Sequence, residues 1–486
     1  MKLEELIENL HYKELLNFKN VDINGISYNS QTTKKDDIFV CISGEHTDGH
    51  KFYQKAVEAG ASAFMVETPL ETHLPQIVVE STKRQIADIA GKFYDYPSES
   101  LNLIGITGTN GKTTVTHLIQ KILEYENQPC ALIGTLGYKL NSADSYKEAK
   151  HTTPQAPELQ NLLYRIKNQE ISNVAMEVSS HSLEQNRVGQ CSFKGAVFTN
   201  LTQDHLDYHK TMDNYFDAKA MLFKNLKEGA FAVINNDDEY SKRFLETIPQ
   251  GVKVLTYGVK TTSDIMAQNI EFMSDGSEFD YIVNGKHVKR VRLSMSGMFS
   301  IYNILAATAC AIAMGISENA IDSLLYERGV AGRFETVVKN PLVIVDYAHT
   351  PDGLENVLNA AREITPKDGK LICLFGCGGD RDATKRPKMA SIAEQIADIA
   401  VVTSDNPRSE DPLKIIDDVL KGFKNPQKAI VEPDRGSAIA LLKTIAKEND
   451  VVIVAGKGHE DYQILKDKTI HFDDREEVKK VFLGIN

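Results

Sequence analysis

The sequence predicts an α/β protein with three domains: a smaller N-terminal α/β domain, a central domain with a mostly parallel sheet, and a C-terminal Rossmann-like α/β domain. Three observations lead to this fold class. A chain of 486 residues is too long for a single hydrophobic core. In the central part, short apolar runs alternate with helical patterns, as is typical of parallel sheets covered by helices. A second series of such runs begins after Gly332 and Arg333.

The composition is that of an ordinary globular protein, with 42% hydrophobic and 25% charged residues. No apolar run reaches the roughly 18 residues that a transmembrane helix needs, so we expect no membrane span. The N-terminal segment is acidic and amphipathic without an apolar signal core, which favours a cytoplasmic location. A net charge of −12 argues against a nucleic-acid partner, because phosphates attract a basic surface. The six scattered cysteines are expected to be buried reduced thiols: Cys41, Cys130, Cys191, Cys310, Cys373 and Cys377.

The three domains are predicted at residues 1–97, 98–332 and 333–486. The first contains a helical segment at 51–60 and several short strand-like runs, at 37–42, 63–66 and 76–79. The stretch Tyr96-Pro97-Ser98 is predicted to be a linker, because a proline restricts the residue before it and polar residues follow.

The most informative segment of the central domain is Ile106-Thr-Gly-Thr-Asn-Gly-Lys-Thr-Thr114. An apolar run at 101–106 predicts a buried strand before it, and a helical pattern at 115–123 follows. A strand, a glycine-rich turn and a helix N-terminus place backbone N–H groups around a phosphate. Lys112 can then reach the β- and γ-phosphates, and the Thr113 hydroxyl can ligate Mg²⁺.

This loop departs from the usual P-loop pattern at one position. The usual pattern has a glycine five residues before Gly111, where this chain has Ile106, and the glycine stands at Gly108. The strand and the helix are nevertheless in register with the loop. We therefore predict a P-loop-type ATPase domain that binds ATP or GTP.

Polar residues follow two further predicted strands of the central domain. Glu177 ends the first strand and can hold Mg²⁺ opposite Thr113; alternatively, a helix N-terminus satisfies its charge. His205 and His209 come after the second strand, and taken alone they indicate a metal site or a polar turn equally well. Their surroundings do not match the H-E-x-x-H zinc helix.

Lys219 stands on the apolar face of a predicted helix, three or four positions from Tyr215, Phe216 and Phe223. On the pattern alone, the better interpretation is a lysine whose ammonium reaches water past the apolar face. If Lys219 is buried instead, desolvation lowers its pKa and makes a neutral amine available for reaction.

In the C-terminal domain four apolar runs each end in a polar loop that contains glycine or proline. The runs are 341–346, 370–376, 400–403 and 450–455. Ligands bind at the carboxyl ends of such strands in doubly wound sheets. Arg381 and Arg408 lie in two of these loops, and each guanidinium can pair with a carboxylate or a phosphate.

Taken in order, these segments resemble the Mur ligase family, the ATP-dependent amide-forming enzymes of peptidoglycan precursor synthesis. The matching pieces are Gly108 to Thr114, Glu177-Val-Ser-Ser-His181, Asn200 to Asp207, Ala218-Lys219, Gly332-Arg333, Asp346-Tyr-Ala-His349 and Asp405-Asn-Pro-Arg408. The shifted glycine of the phosphate loop is what this family shows. Within the family, the chain resembles the branch that adds the third residue, meso-2,6-diaminopimelate, to UDP-N-acetylmuramoyl-L-alanyl-D-glutamate.

The resemblance implies a UDP-sugar-binding first domain, an ATP-binding second domain and an amino-acid-binding third domain. ATP would contact Gly108, Thr109, Asn110, Gly111, Lys112, Thr113, Thr114, Asn303, Arg333 and Asp346. The UDP-sugar-peptide would contact Tyr28, Ser30, Glu45, His46, Thr47, His151, Thr152, Thr153, Ser179, Gln185 and Arg187. Diaminopimelate would contact Arg381, Asp405, Asn406, Pro407, Arg408, Gly456 and Glu460.

The resemblance also implies two Mg²⁺ ions, one on Thr113 and Glu177 and one on His205 and a Lys219 carbamate derived from CO₂. The catalytic residues would be Lys112, Glu177, His205 and Lys219. ATP would convert the D-glutamate γ-carboxylate into an acyl phosphate, which the amine of diaminopimelate attacks. ADP and phosphate would be released.

Two positions depart from the family pattern. His151 stands where an asparagine is common, and the run Glu45-His46-Thr47 is unusual, so the UDP-sugar contacts are the least constrained by the resemblance.

Three other functions are alternatives: an L-lysine-adding ligase of the same family, a folylpolyglutamate-synthetase-like ligase, and a P-loop switch ATPase. Arg408 argues against the first, because only diaminopimelate has a distal carboxylate for a guanidinium to grip. The separate N-terminal domain argues against the second. We expect a monomer.

Overall fold

Three β-sheets follow one another along the chain and organise the molecule. The computed structural model describes residues 1–44, 47–149, 151–273, 276–327 and 329–485. Each sheet is mostly parallel near its centre and carries helices, so the predicted fold class of three α/β domains is confirmed. The predicted boundaries at 97/98 and 332/333 stay predictions.

The N-terminal sheet has five strands. The elements are α1 (Leu3–Leu6), β1 (Glu14–Leu16), β2 (Gly25–Ser27), β3 (Asp37–Val40), α2 (Tyr53–Glu58), β4 (Ala63–Val66), β5 (Gln76–Val78) and α3 (Thr82–Phe93), with a 3-10 turn at Gly49–Phe52. The strand order is β1-β5-β4-β3-β2, and only β1 runs antiparallel to its neighbour. The three strand-like runs predicted here all form strands, the first and last slightly shorter than predicted.

The predicted linker at Tyr96-Pro97-Ser98 is not a free connection. Pro97 and Ser98 are buried and open a 3-10 helix, Pro97–Ser100. The Ser98 hydroxyl accepts a hydrogen bond from the Ser192 backbone N–H at 2.9 Å. Ser98 is therefore paired with the central domain, while Glu99 and Ser100 are exposed.

The central sheet has ten strands. Its elements are β6 (Asn102–Thr107), α4 (Lys112–Tyr125), β7 (Cys130–Gly134), β8 (Gly137–Lys139), α5 (Ala156–Lys167), β9 (Asn173–Glu177), α6 (Ser180–Glu184), β10 (Gly195–Phe198), α7 (Leu206–His209), α8 (Met212–Lys224), β11 (Phe231–Asn235), α9 (Ser241–Thr247), β12 (Lys253–Gly258), β13 (Ile265–Met273), β14 (Gly276–Val283), β15 (Lys286–Leu293) and α10 (Met298–Ala313), followed by a 3-10 helix at Glu318–Leu324. The strand order is β15-β14-β13-β12-β11-β10-β6-β9-β7-β8.

Strand β6 lies in the middle of this sheet, parallel to β10 on one side and β9 on the other. Helices α4 and α10 cover one face through residues such as Leu118 and Leu305. Helices α5 and α8 cover the other through Leu163 and Leu222. Because both faces of β6 are buried, its sequence is a continuous apolar run and not an alternating one. Because β6 is a central strand, the loop after it lies at the crevice beyond the carboxyl ends of the strands, where ligands bind in folds of this type.

The C-terminal domain contains a six-stranded sheet of order β16-β17-β21-β18-β19-β20 and a hairpin, β22-β23. Its elements are β16 (Glu335–Lys339), β17 (Leu342–Asp346), α11 (Pro351–Ile364), β18 (Leu371–Cys377), α12 (Lys385–Ile396), β19 (Ile399–Ser404), α13 (Pro412–Leu420), β20 (Ile430–Val431), α14 (Arg435–Ile445), β21 (Val451–Ala455), β22 (Tyr462–Ile464), β23 (Thr469–His471) and α15 (Asp474–Leu483), with a 3-10 turn at Pro426–Lys428. The four predicted strands correspond to β17, β18, β19 and β21, and they lie next to one another in the sheet.

The sequence also makes predictions about the cysteines and about membrane spans. All six cysteines are free, and five of them are buried, while Cys191 is partly exposed. Within the described residues we find no helix with the length and apolar content required to cross a bilayer.

Candidate active site

The phosphate loop forms the turn between β6 and α4, and two glycines shape it. Gly108 and Gly111 have φ angles of +152° and +88°. A Cβ at Gly108 would overlap the Thr199 hydroxyl, and one at Gly111 would overlap the Asn303 side-chain oxygen. Ile106 is still inside strand β6 and fully buried, so the turn begins after it. The shifted glycine is therefore a consequence of where the strand ends.

Asn200, which follows β10, holds this loop in place. Its backbone carbonyl accepts the Thr109 N–H at 2.8 Å, and its side-chain oxygen accepts the Asn110 N–H at 2.9 Å. The Thr199 hydroxyl donates to the Asn110 carbonyl at 2.6 Å. These bonds fix the loop before any ligand binds, because each one is internal to the protein.

Two lysine side chains converge on the same backbone carbonyl. Lys112 Nζ donates to the carbonyls of Gly108 and Thr109, both at 2.8 Å. Lys219 Nζ also donates to the Gly108 carbonyl at 2.8 Å, and it lies 4.6 Å from the centre of the Tyr215 ring. Burial lowers the pKa of Lys219 well below its ordinary value, and the nearby Lys112 lowers it further. With 1% of its surface exposed, Lys219 is not a lysine that reaches water, so the interpretation favoured by the pattern alone is wrong.

Glu177 ends β9 as predicted and is almost completely buried. Its carboxylate accepts hydrogen bonds from the Thr135 N–H at 2.9 Å and the Thr135 hydroxyl at 3.0 Å. Gly134 stands beside it because a Cβ there would overlap the carboxylate. The Glu177 carboxylate is thus bonded by the segment after β7 and not by a helix N-terminus.

His205 opens helix α7, with a φ of +54°, and its Nε2 lies 3.2 Å from an Asp204 oxygen. Burial lowers the pKa of His205 to about 3, so the imidazole is neutral and able to act as a ligand. Burial raises the pKa of the Asp204 carboxyl, but His205, His349 and Lys385 outweigh it and hold that pKa below its ordinary value. Asp204 therefore brings a fixed negative charge to this corner of the site.

His209, the partner proposed for His205 on spacing, belongs to a different group. Its Nε2 hydrogen bonds with the Ser180 hydroxyl at 2.9 Å, and its Nδ1 lies 3.3 Å from Glu184. Among the described residues, no set of three or more histidine, cysteine, aspartate or glutamate side chains is arranged to hold a metal ion. A metal site at His205 would therefore need other ligands, and a carbamate on Lys219 would provide one.

The C-terminal domain closes the site from the opposite side. The Arg333 guanidinium donates to the Thr113 hydroxyl at 3.3 Å and lies 4.3 Å from the centre of the Tyr347 ring. Asp346 accepts the backbone N–H groups of Phe334 and Ala348 at 2.6 and 2.7 Å. Burial raises the pKa of Asp346 to about 6, although Arg333 lowers it.

One hydrogen bond joins the phosphate loop directly to helix α11: the Asn110 side chain donates to Asp352 at 2.7 Å. A cavity of about 430 Å³ lies between the two domains. Its lining contains most of the predicted ATP and metal residues: Thr109, Asn110, Gly111, Lys112, Thr113, Thr114, Glu177, His205, Lys219, Asn303, Arg333 and Asp346. The structure therefore brings these side chains together, and their individual roles stay predictions.

The residues predicted for the UDP-sugar-peptide are divided between two regions. Thr152 and Ser179 line the cavity, and Thr153 donates to the Glu177 carbonyl at 2.8 Å. Arg187 donates to the Thr153 carbonyl at 3.0 Å and to the Gln185 side chain at 2.7 Å. These five residues thus form one cluster.

Of the other predicted UDP-sugar residues, Tyr28 lies near enough to Arg187 for its pKa to be affected by that charge. Tyr28 donates to Glu158 of the central domain at 2.5 Å. Ser30 is half-buried, Thr47 and His151 are exposed, and Glu45 and His46 lie outside the described residues.

The residues predicted for diaminopimelate come together after the carboxyl ends of β18, β19 and β21, and we call this group the amino-acid pocket. Asn406 donates to Glu460 at 2.9 Å, and Gly456 N–H donates to the Asp346 carbonyl at 3.0 Å, which connects this pocket to the cavity. Arg408 adopts a φ of +52°, and its guanidinium donates to the Gly379 carbonyl at 2.8 Å.

The other members of this pocket differ in exposure. Pro407 is buried, and a Cβ at Gly379 would overlap its carbonyl. Asp405 is buried, whereas Arg381 is exposed and donates to the Asp380 carbonyl at 2.8 Å. Burial lowers the pKa of Arg408, and the positive charge of Arg381 lowers it further. The two guanidinium groups are therefore near enough to repel each other.

Several residues at the site were not identified as functional from the sequence. Thr135 and Asp352 stand in segments with no recognisable pattern, and only the fold places them against Glu177 and Asn110. Asn200 and Asp204 lie inside the segment Asn200 to Asp207, which resembles the family, so their position after β10 was a usable signal. Lys457, in the loop after β21, is completely buried next to Glu460.

Comparison with known proteins gives a consistent family assignment. The model described as Mur ligase middle domain matches residues 106–311. The model described as Mur ligase, glutamate ligase domain matches 332–458, and that described as Mur ligase family, catalytic domain matches 22–94.

Individual relatives match over the whole chain. The UDP-N-acetylmuramoyl-L-alanyl-D-glutamate–2,6-diaminopimelate ligase of Bacillus velezensis is 44% identical over 497 residues, covering 100% of both chains. The protein of the same name from Clostridium botulinum is 45% identical over 495 residues, also covering 100% of both. A solved structure of a ligase with this name superimposes with a TM-score of 0.69 at 32% identity, covering 100% of this chain and 99% of that one.

Proposed function

This chain belongs to the Mur ligase family, and on that premise we propose that it is the ATP-dependent ligase that joins meso-2,6-diaminopimelate to UDP-N-acetylmuramoyl-L-alanyl-D-glutamate. The new amide forms on the D-glutamate γ-carboxylate, as a step of peptidoglycan precursor synthesis. One observation carries the choice of amino acid: the Arg408 guanidinium lies near enough to the carboxylates of Asp405 and Glu460 for their charges to interact. The distal carbon of diaminopimelate carries both an ammonium and a carboxylate, so the amino-acid pocket offers a partner of opposite charge for each.

The first half of the site binds and orients the nucleotide. Backbone N–H groups of the loop 108–114 and the N-terminus of α4 favour the negative phosphates. Lys112, whose ammonium is held beside that loop, supplies a positive charge where the transferred phosphoryl group develops negative charge. Arg333 and Asn303 line the same cavity from the C-terminal domain and α10.

The residues present fit Mg²⁺. The Thr113 hydroxyl and Glu177 carboxylate are oxygen donors, which Mg²⁺ prefers, and both face one cavity. His205 and the carbamate of Lys219 would hold a second ion. Bound Mg²⁺ would neutralise negative charge on the phosphoryl group during its transfer.

Lys219 fits that role only after modification. As an ammonium it repels a metal ion, but burial beside Lys112 favours the neutral amine. The amine nitrogen can bond to the carbon of CO₂ and lose a proton, which converts a cationic side chain into an anionic oxygen ligand.

The chemistry then proceeds on the substrates. A carboxylate is a poor electrophile, so phosphorylation by ATP gives an acyl phosphate. The amine of diaminopimelate attacks its carbonyl carbon, and phosphate leaves as the amide forms. Here the protein's part is to hold the acceptor in the C-terminal pocket and the donor in the cavity, since proximity converts a two-molecule encounter into an oriented one. All proposed contacts come from one chain, and we propose a cytoplasmic monomer.

A single assay tests this proposal against its alternatives. Phosphate release is measured with ATP and the UDP-linked dipeptide, adding diaminopimelate, L-lysine or no acceptor. We expect release only with diaminopimelate. Release without any acceptor would indicate a switch ATPase, and equal release with L-lysine would contradict the chosen amino acid.

Replacing Arg408 tests the specificity directly. For Arg408→Ala we expect kcat/KM for diaminopimelate to fall by about 10³-fold, because a charged contact to the distal carboxylate is lost. The KM for ATP should change little. Exposed Lys414→Ala on helix α13 is the control, and equal losses for ATP and diaminopimelate would contradict the assigned role.

A further inference from the structure

Lys457 is a buried lysine that none of the roles above uses. It stands in the loop between β21 and β22, and none of its surface is exposed. Removing an ammonium group from water is costly unless partners compensate it. Its neighbours therefore show what the side chain is for.

Those neighbours are three residues of the proposed amino-acid pocket. Lys457 Nζ lies 3.1 Å from Glu460 Oε2 and 3.4 Å from Asn406 Oδ1. It is 3.9 Å from Asp405 Oδ1, too far for a hydrogen bond but near enough for attraction between the charges. Tyr462 packs above it, with the ring centre 5.5 Å from Nζ.

The hydrogen bonds leave the pocket with a specific set of free acceptors. Glu460 Oε2 accepts from both Lys457 and Asn406, so this oxygen is already bound. The buried Asp405 Oδ1 has no hydrogen-bond partner within the described part of the chain. A buried acceptor without a partner is costly, which indicates that a ligand donor belongs there.

We propose that Lys457 is a positioning residue for the amino-acid substrate. It binds one oxygen of Glu460 and the Asn406 amide, and thereby directs the remaining oxygens of Glu460 and Asp405 toward one substrate ammonium. This inference rests on the proposed function, and it deepens it by naming the group that sets the charge of the acceptor pocket.

Charge explains why a lysine is needed. Asp405 and Glu460 repel each other, and without compensation one of them would take up a proton instead of binding an ammonium. Burial raises the pKa of Glu460, with Asp405 raising it further, while Lys457 lowers it. Among the described residues, the other charged or titratable groups that interact with these carboxylates are Arg408, Arg435, Tyr347, Tyr462 and Cys377.

The test uses the full chain and measures KM for diaminopimelate, ATP and the UDP-linked dipeptide between about pH 7 and about pH 9. The variants are Lys457→Gln, which keeps a donor, and Lys457→Met, which does not. At neutral pH we expect KM for diaminopimelate to rise at least about tenfold in both, with the other two KM values within about twofold. The defect should shrink as pH rises, because Glu460 then regains its negative charge.

Two further variants separate positioning from simple structural damage. Glu460→Gln should raise KM for diaminopimelate without any recovery at high pH, because no carboxylate remains to ionise. Lys443→Gln, an exposed lysine of the same domain that contacts the Val481 carbonyl, should match wild type. If Lys457→Met fails to fold, Lys457→Gln decides the result.

The outcomes are distinct. A wild type without diaminopimelate-dependent phosphate release would contradict the proposed function itself. If the wild type is active, three results would overturn only the role of Lys457. The first is a normal KM for diaminopimelate in the Lys457 variants, and the second is an equal rise of KM for all three substrates. The third is a KM for diaminopimelate that does not recover as pH rises.

Discussion

At the scale of single residues, burial determines the chemistry of the site. Lys112 and Lys219 share the Gly108 carbonyl, and the pKa of Lys219 is lowered by burial first and by Lys112 second. His205 is kept neutral by burial, while His205, His349 and Lys385 hold the pKa of Asp204 below its ordinary value. A neutral lysine, which would be unusual in water, is therefore favoured here by desolvation and by charge placement.

The carbamate on Lys219 is the first prediction at this scale. Lys219→Met removes the amine at similar volume, and we expect kcat for acceptor-dependent phosphate release to fall by about 10² or more. Wild-type enzyme in buffer depleted of CO₂ should lose activity and regain it with bicarbonate. The control is Lys224→Met, an exposed lysine of the same helix. A Lys219→Met enzyme with wild-type kcat would rule out the carbamate.

Asp346 makes stability depend on pH. Its folded-state pKa of about 6 exceeds the value of about 3.9 expected when unfolded. A raised carboxyl pKa stabilises the fold while the group is protonated, and this contribution is lost as pH rises from about 4 through about 6.

Asp346→Asn removes that titration. We compare the free energy of unfolding of this variant with that of wild type. We expect the difference to rise by roughly 2–3 kcal/mol in favour of the variant between about pH 4 and about pH 7. Denaturant unfolding at several pH values measures this difference. Asp417→Asn, at an exposed position of helix α13, is the control, and a constant difference for Asp346→Asn would contradict the prediction.

At the scale of elements, the site is built from strand ends that meet at one edge of each sheet. In the central sheet, β6 carries the phosphate loop, β9 carries Glu177 and β10 carries Asn200. The three strands are adjacent and parallel, so residues distant in sequence come together at their carboxyl ends.

The phosphate loop depends on space as well as backbone conformation, and a pair of glycines separates the two effects. Gly111→Ala adds a Cβ that overlaps the Asn303 side chain at φ +88°, whereas Gly229→Ala has a similar φ of +78° with nothing nearby. Both substitutions strain the backbone by about 1 kcal/mol. Only Gly111→Ala should raise KM for ATP, by about tenfold or more. Thermal unfolding and ATP kinetics measure the two effects, and equal KM values would contradict the overlap.

At the scale of the whole molecule, the central and C-terminal domains must stay docked for the cavity to exist. Arg333 reaches Thr113, and Asn110 reaches Asp352, so the phosphate loop touches the third domain at two points. The predicted diaminopimelate pocket is connected to this cavity through the bond between Gly456 and Asp346. Amino-acid and nucleotide chemistry are thus joined by the domain interface.

Weakening that interface should change geometry and rate together. For Asp352→Ala we expect kcat to fall about 5- to 10-fold and the distance between fluorophores on the two domains to become broader. Asp368→Ala is the control, because Asp368 is exposed and bonds only Asn449 of its own domain among the described partners. An unchanged distance distribution with normal kcat would show that the Asn110–Asp352 bond does not hold the domains.

The sequence by itself determined the three-domain α/β fold, the phosphate loop and the polar loops at the strand ends. These features are local, because apolar periodicity and glycine placement act over a few neighbouring residues. Glu177 and the four C-terminal strands could be located for the same reason. The contact of Ser98 with the central domain could not be predicted, since its partner Ser192 is far away in sequence.

Only the tertiary structure decided which side chains are buried and what each one meets. Lys219 is buried because α8 packs on the central sheet, Lys457 because Asn406 and Glu460 close over it, and Asp352 faces the phosphate loop across a domain interface. Desolvation and the charge of distant neighbours set the properties of these groups, and neither can be read from adjacent residues in the chain. The sequence therefore specified where chemistry could occur, and packing between the elements specified the charge and direction of the groups that perform it.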